Sequence, residues 1–217
     1  MRLTGQLVDD SLDYDGGRQV TVYVPPDPAV AVVFAADGGW HTGKLAQALE
    51  DAHAPATMIV GVHGMPDDEG RFKEYVPTVD TDRFAAHEKF FVDEVGRWVQ
   101  SRFQVELGAD HTAVWGASLG AEFALAVGLR HRDVYGAVFA ASPGGGYRPP
   151  VEMLDQMPRV YLVAGTEEPF FLENATRWAD ALRASDDQVM MTERAGGHGG
   201  AFWAHEFPLM VAWAIGR

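Results

Sequence analysis

Short, almost wholly apolar runs alternate along this chain with longer segments of helical periodicity. Such runs are typical of β-strands that are covered on both faces. Between them, apolar residues recur every three or four positions, most clearly over 83–103, which predicts amphipathic helices. The apolar runs are 29–37, 57–62, 112–116, 135–142 and 159–165. The alternation predicts an α/β protein with a mostly parallel central sheet and helices on both faces, a three-layer αβα sandwich.

The N-terminal part departs from the parallel pattern. The segment 19–26 alternates apolar and polar residues and ends at two prolines, which is typical of a half-buried strand. The Asp-Gly-Gly sequence at 15–17 favours a hairpin turn, so we expect antiparallel strands at the start. We expect a polar loop over 63–82 and a last helix that is kinked at Pro208. Because no repeat or linker-like stretch interrupts the pattern, the sequence predicts a single domain over 1–217.

Composition disfavours several classes of function. The 217 residues include 31 acidic and 17 basic side chains, which gives a formal net charge of -14 at pH 7. A field of this sign repels phosphate backbones and anionic membranes, so we expect neither nucleic acid nor a membrane as a partner. Cysteine is absent and no H-E-x-x-H or calcium-loop spacing occurs, so we expect no metal and no cofactor. Without an apolar signal segment or a run of about 20 apolar residues, the sequence predicts a cytoplasmic protein.

The stretch VWGASLGAEF at 114–123 contains a G-x-S-x-G motif centred on Ser118. It lies between a predicted strand and a predicted helix, where this motif presents a serine hydroxyl above the carboxyl end of a sheet. Gly116 and Gly120 keep side chains out of the sharp turn, and the start of the following helix favours negative charge nearby. We therefore predict that Ser118 is a nucleophile rather than a polar residue in a tight turn.

A serine hydroxyl needs a base, and the base needs a group that orients it. In proteins with this motif the chain order is serine, then carboxylate, then histidine. Glu167 and Glu168 follow the strand at 159–165, and His198 lies in a glycine-rich loop after the last predicted strand. The other histidines lie on predicted helices, at strand starts or before Ser118, so His198 is the predicted base. Glu168 is the preferred acid, and Glu167 stays open as the alternative.

Acyl transfer also needs donors for the oxyanion of its transition state. The backbone N–H of Leu119, the residue after the nucleophile, is one expected donor. Gly38 and Gly39 follow an earlier strand and let the backbone approach a substrate, and Gly39 is the preferred second donor. A plain glycine-rich turn is the alternative for this loop. His41 and His63 also follow strands, and we expect them to line the pocket.

Together these segments resemble the esterase D and enterochelin esterase-like branch of the α/β-hydrolase superfamily. The resemblance covers most of the chain and rests on VYVPP, DGGW, RFKEYVP, GASLGAEFAL, GTEEPFFLENATRWADAL and GGHGGAFW. It implies the α/β-hydrolase fold, a small-molecule carboxylic ester as substrate and an acyl-enzyme mechanism. It also supports Glu168, because this branch often carries its acid as a glutamate before proline. Trp40 of DGGW and Arg71 and Tyr75 of RFKEYVP join the two pocket histidines as candidate substrate-binding residues.

Three functions stay open from the sequence. The leading prediction is a serine esterase, and the resemblance extends it to siderophore esters, with Arg71 as the candidate cation for a catecholate. The second is an acyltransferase of the mycolyltransferase type, which uses the same triad and an alcohol acceptor. The third is a non-catalytic binding domain, disfavoured because no triad residue or oxyanion glycine is missing. Segments 63–82 and 142–153 are the expected substrate walls, and the sequence gives no oligomeric state.

Overall fold

An eight-stranded sheet forms the centre of the part of the chain that the structure describes. The computed structural model describes residues 3–150, 156–184 and 188–215, so 151–153 of one predicted substrate wall lie outside them. The strands are β1 (Gln6–Leu12), β2 (Arg18–Val24), β3 (Ala31–Ala35), β4 (Thr57–Val62), β5 (Thr112–Ala117), β6 (Ala137–Ala141), β7 (Arg159–Gly165) and β8 (Val189–Arg194). Their order is β1-β2-β4-β3-β5-β6-β7-β8. The β1–β2 and β2–β4 pairs are antiparallel and the other five pairs are parallel, as predicted.

Helices follow most of the strands. They are α1 (Gly38–Asp51), α2 (Asp68–Tyr75), α3 (Thr81–Lys89), α4 (Val95–Phe103), α5 (Leu119–Arg130), α6 (Pro169–Arg183) and α7 (Gly200–Ile215), with a π-helical turn (Phe90–Glu94) joining α3 to α4. The helix predicted over 83–103 therefore contains a π turn. The prediction of a continuous loop over 63–82 was wrong, because α2 lies within it. The Asp67 carboxylate caps α2 by accepting the Gly70 amide at 2.8 Å.

The sheet separates two apolar layers, as an αβα sandwich requires. Successive strand residues point to opposite faces. In β3, Val32 and Phe34 belong to one core and Val33 to the other. α1 and α7 cover the face of Val33 and pack against each other, whereas residues of α2 to α6 cover the opposite face. The predicted fold class is confirmed.

The carboxyl ends of the parallel strands meet at one edge of the sheet. β3 leads to Asp37, β5 to Ser118, β6 to Ser142, β7 to Glu168 and β8 to His198. Open parallel sheets place ligands at this edge, because the loops that follow the strands converge there. The candidate site therefore lies where the sequence motif requires it.

Candidate active site

Ser118 occupies a sharp turn between β5 and α5. Its φ of 55° and ψ of -121° lie in a region that costs a non-glycine residue about 1–3 kcal/mol. The Ser118 amide extends the pairing of β5 with β6 by donating to the Ala141 carbonyl oxygen at 2.9 Å, and the Ala121 amide closes the turn by donating to the Ser118 carbonyl oxygen at 3.0 Å. A Cβ on Gly116 would overlap the Gly120 carbonyl, so this close approach of strand and helix requires glycine. The strained turn holds the hydroxyl at the start of α5.

His198 connects this hydroxyl to a buried carboxylate. Its Nε2 lies 3.0 Å from Ser118 Oγ, and its Nδ1 lies 2.6 Å from Glu168 Oε2. Phe171 stacks on the imidazole with 3.9 Å between ring centroids, and Trp203 meets it edge to face at 4.8 Å. Two hydrogen bonds and two aromatic rings thus fix the position of the imidazole.

The two candidate acids lie in different environments. Glu168 is 5% exposed and contacts His198, whereas the neighbouring Glu167 is exposed. The second carboxylate oxygen of Glu168, Oε1, accepts the Gly165 amide at 2.7 Å and the Ser142 hydroxyl at 2.6 Å. The geometry therefore brings Glu168, and not Glu167, together with the histidine.

Both predicted oxyanion donors lie at the start of a helix. Leu119 is the first residue of α5, and Gly39 lies in the first turn of α1. Amides at the start of an α-helix have no carbonyl partner within the helix and carry partial positive charge. Both predicted oxyanion donors are thus amides of the kind that can bind a developing negative charge.

Arg71 and Tyr75 are arranged differently from the prediction. Arg71 donates to both carboxylate oxygens of Asp37, at 3.0 and 2.7 Å, so its charge is already paired. Tyr75 is fully buried, and its hydroxyl donates to Asp37 Oδ1 at 3.1 Å and accepts the Asp37 amide at 3.2 Å. The Tyr75 hydroxyl therefore has both its donor and an acceptor site used by Asp37, and the Arg71 guanidinium binds Asp37 through two nitrogens and Asp68 through the third, at 3.3 Å. Their assignment as substrate-binding residues is corrected to support of the loop that contains Asp37.

The pocket histidines also differ from each other. His41 is 8% exposed and packs edge to face on Trp115 and Trp203, so it lies in the core rather than in a pocket. Burial lowers the pKa of His41 to about 4. The sequence could not reveal this, because both tryptophans are distant along the chain. His63 is half-buried, and its Nε2 lies 2.8 Å from Thr21 Oγ1.

His63 and Trp40 line a small cleft beside the predicted oxyanion loop. The cleft has a volume of about 190 Å³ and is lined by Asp37, Gly39, Trp40 and His63 together with 64–66. Trp40 is 52% exposed, and the Arg71 guanidinium carbon lies 4.7 Å from its ring centroid. Two of the five candidate substrate-binding residues, Trp40 and His63, therefore line this cleft together with Gly39.

Three neighbours of the site were missed by sequence reasoning. Ser142, Phe171 and Trp203 contact the carboxylate or the imidazole. Ser142 begins a predicted substrate wall and Trp203 belongs to the segment GGHGGAFW, but they are 61 positions apart, so only the tertiary structure shows that they meet. Phe171 is the second of two phenylalanines that follow Glu168 and Pro169, so its closeness along the chain to the predicted acid is a signal that could have identified it.

Within the described residues, no group of three or more metal-ligating side chains forms a cluster. None of the helices described is long and apolar enough to cross a membrane.

The family described as "Putative esterase" matches residues 12–214. Among solved structures, the chain is similar to a ferulic acid esterase, with a TM-score of 0.75 and 18% identity over 98% of each chain. It is similar to the ferric enterobactin esterase of Salmonella typhimurium, with a TM-score of 0.79 and 19% identity, covering 98% of this chain and 59% of that one. An S-formylglutathione hydrolase from Staphylococcus aureus has a TM-score of 0.71 and 12% identity, with 99% and 98% covered. No curated protein matches the chain.

The structural neighbours and the family match support different statements. At identities below 20%, the neighbours establish the fold. The chain also spans only about three fifths of the enterobactin esterase it matches, since 59% of that protein is covered. The family match includes every residue of the site described above. The chain therefore belongs to the "Putative esterase" family and is a carboxylic ester hydrolase.

Proposed function

We propose that the protein is a serine esterase that works through an acyl-enzyme, with Ser118 as nucleophile, His198 as general base and Glu168 as orienting acid. The observation that carries this proposal is the continuous pair of contacts, 3.0 Å from serine to histidine and 2.6 Å from histidine to glutamate. This is the arrangement that a weakly nucleophilic hydroxyl needs in order to attack a carbonyl carbon.

The reaction follows from this geometry. His198 Nε2 takes the Ser118 proton as the oxygen bonds to the ester carbonyl carbon, and Glu168 stabilises the imidazolium that forms. The amides of Leu119 and Gly39 receive the oxyanion. The imidazolium then protonates the departing alcohol, which leaves an acyl-serine. Water, deprotonated by His198, attacks the acyl carbon, and the imidazolium returns the proton to Ser118 Oγ as the bond between this oxygen and the acyl carbon breaks and the acid leaves.

The surroundings favour a small, uncharged acyl group. The cleft beside Gly39 holds about 190 Å³ and is lined by Trp40 and His63. Burial lowers the pKa of His63, which favours the neutral imidazole. Arg71 is paired with Asp37, and the formal charge of the chain is -14, so neither supplies attraction for an anionic catecholate. We therefore propose a neutral short-chain ester rather than a siderophore.

The test compares p-nitrophenyl acetate, butyrate and octanoate in the parent protein and in Ser118→Ala. Ser101→Ala, an exposed serine on α4, is the matched control. We expect Ser118→Ala to lower kcat/KM at least about 10³-fold, the control to match the parent, and the rate to fall from acetate to octanoate. Equal release by parent and Ser118→Ala would refute the nucleophile. Adding an alcohol and finding mainly transesterified product would identify an acyltransferase instead.

A further inference from the structure

Ser142 lies directly after β6 in an unusual conformation. Its φ is 50° and its exposure is 0%, and its amide donates to the Val163 carbonyl oxygen at 2.7 Å. Glycine adopts a positive φ without strain, whereas serine does not. A serine in this position therefore indicates that its side chain makes contacts that offset the strain.

The hydroxyl of Ser142 makes two hydrogen bonds. Trp203 Nε1 lies 2.8 Å from Ser142 Oγ, and Ser142 Oγ lies 2.6 Å from Glu168 Oε1. An indole N–H can only donate, so the serine oxygen must accept from it. The serine proton is then directed at the glutamate. The direction of the whole relay, from indole to hydroxyl to carboxylate, is thus set by chemistry.

The relay divides the two oxygens of Glu168 between different tasks. Oε1 receives the Ser142 hydroxyl and the Gly165 amide, and Oε2 is left for His198 Nδ1. A carboxylate held by two donors on one oxygen cannot rotate about its own axis without breaking both. The plane of the carboxylate, and with it the direction of the bond to the imidazole, is fixed from the side away from the serine nucleophile.

Trp203 links this relay to the base as well. It lies on α7, its amide donates to the Gly199 carbonyl oxygen at 3.2 Å, and its ring meets the His198 ring edge to face at 4.8 Å. The same indole therefore supports the imidazole through its ring and the carboxylate through its N–H.

We infer that Ser142 is a positioning residue that aligns the acid with the base through the hydrogen bond it donates to Glu168, its own hydroxyl being oriented by the N–H of Trp203. This inference rests on the proposed esterase function. Ser142 acts through Glu168 and touches no substrate, since it is fully buried. Its loss should slow the chemical step and leave substrate binding unchanged.

The test uses Ser142→Gly, which removes the hydroxyl and suits the positive φ. We expect kcat for p-nitrophenyl acetate to fall about tenfold and KM to stay within twofold. Loss of the Ser142 donor frees the plane of the carboxylate, which lowers kcat, and leaves more negative charge on the carboxylate to stabilise the imidazolium. The acid limb of the kcat/KM profile should therefore move to higher pH. Two other titratable side chains lie nearby: Glu167 beside Gly197, and His41 against Trp203. The variant leaves both unchanged, so a shift of the acid limb reports on Glu168 and His198.

Trp203→Phe is the second variant, because it removes the donor and keeps the Ser142 hydroxyl. Trp203→Phe should also lower kcat, by a smaller factor than Ser142→Gly. The inference is wrong if Ser142→Gly keeps kcat within twofold of the parent and the acid limb of its kcat/KM profile does not move. It is also wrong if the variant changes KM alone. Should Ser142→Gly fail to fold, the same criteria apply to Trp203→Phe. Ser118→Ala is measured in parallel: activity that survives it refutes the proposed function, whereas activity that requires Ser118 but ignores both variants refutes only the relay.

Discussion

Arg71 forms a two-point ion pair with Asp37, the residue directly before the two glycines of the predicted oxyanion loop. Asp37 has a φ of 55° and is 3% exposed, so it is held in a left-handed conformation inside the protein. The planar guanidinium matches the carboxylate at both oxygens and restricts its rotation. Gly39, whose amide we propose as an oxyanion donor, lies two residues further on, so we expect this pair to help orient that amide.

Arg71→Lys tests whether Arg71 orients this loop or binds an anionic substrate. Lysine keeps the charge but cannot bind both oxygens in one plane. We expect kcat/KM to fall by about tenfold, and equally for p-nitrophenyl acetate and for a p-nitrophenyl ester whose acyl group ends in a carboxylate. Arg130→Lys, which alters an arginine paired with Glu88 far from the site, is the control. A loss confined to the anionic ester would restore Arg71 as a substrate ligand.

Glu122 holds the loop that forms the described part of one predicted substrate wall. This glutamate of α5 is 2% exposed and accepts the Tyr147 amide at 2.5 Å, and burial raises its pKa. Glu122→Gln replaces one acceptor oxygen with an N–H₂ group, which then faces backbone N–H donors. We expect the free energy of unfolding, measured in urea, to fall by about 1–3 kcal/mol and the preference among acyl chain lengths to change. Glu106→Gln, at an exposed glutamate, should alter neither property, and an unchanged preference in Glu122→Gln would separate this loop from the acyl pocket.

The sequence predicts the sheet well for a physical reason. Strands buried on both faces must be apolar throughout, so runs such as 57–62 and 159–165 are visible without any knowledge of their neighbours. The order serine, acid, histidine follows from the same local signals, because each residue stands just after a strand. The geometry brings Ser118, Glu168 and His198 within hydrogen-bond distance.

What the sequence cannot show depends on distant partners. α2 is mostly polar and was predicted as a loop, and it is held by pairs such as Glu74 with Arg18, whose members are 56 positions apart. The charge of Arg71 is visible in the sequence, but its partner Asp37 lies 34 positions earlier and carries no local signal of the pairing. His41 follows the same rule, since only the packed structure shows that tryptophans surround it.

Glu50 should make stability depend on acid pH. The amides of Gly5 and Thr4 and the Tyr23 hydroxyl donate to its carboxylate at 2.9, 2.9 and 2.8 Å and lower the pKa of Glu50 to about 2. A carboxyl with a depressed folded pKa stabilises above its ordinary pKa of 4.5, and that stabilisation is lost as the pH falls towards 2.

Glu50→Gln should therefore lower the urea midpoint at pH 7 and at pH 5, and the difference from the parent should shrink at pH 3. Glu173→Gln, an exposed partner of Arg177, is the control and should shift little at any pH. A difference of constant size from pH 7 to pH 3 would show that the ionised carboxylate is not the source of the stability.

His87 should destabilise the fold in mild acid. It is 1% exposed among aromatic rings, neither ring nitrogen has a hydrogen-bond partner among the described residues, and burial lowers its pKa to about 4. Glu74 Oε2 lies 3.8 Å away but is already bound by Arg18. Below the ordinary pKa of 6.5 the unfolded chain takes up a proton that the folded protein refuses, so stability falls as the pH drops from 6.5 towards 4.

His87→Leu removes this proton linkage while keeping an apolar side chain in the core. Between pH 7 and pH 4, the free energy of unfolding should fall less in the variant than in the parent. The two falls should differ by about 3 kcal/mol at most. His41 has a similarly lowered pKa and remains in the variant, so the dependence on pH should weaken rather than vanish. Urea unfolding at pH 7, 5.5 and 4 measures it, with exposed His205→Gln as the control. Parallel curves for the parent and His87→Leu would mean that the acid sensitivity arises elsewhere, with His41 as the next residue to replace.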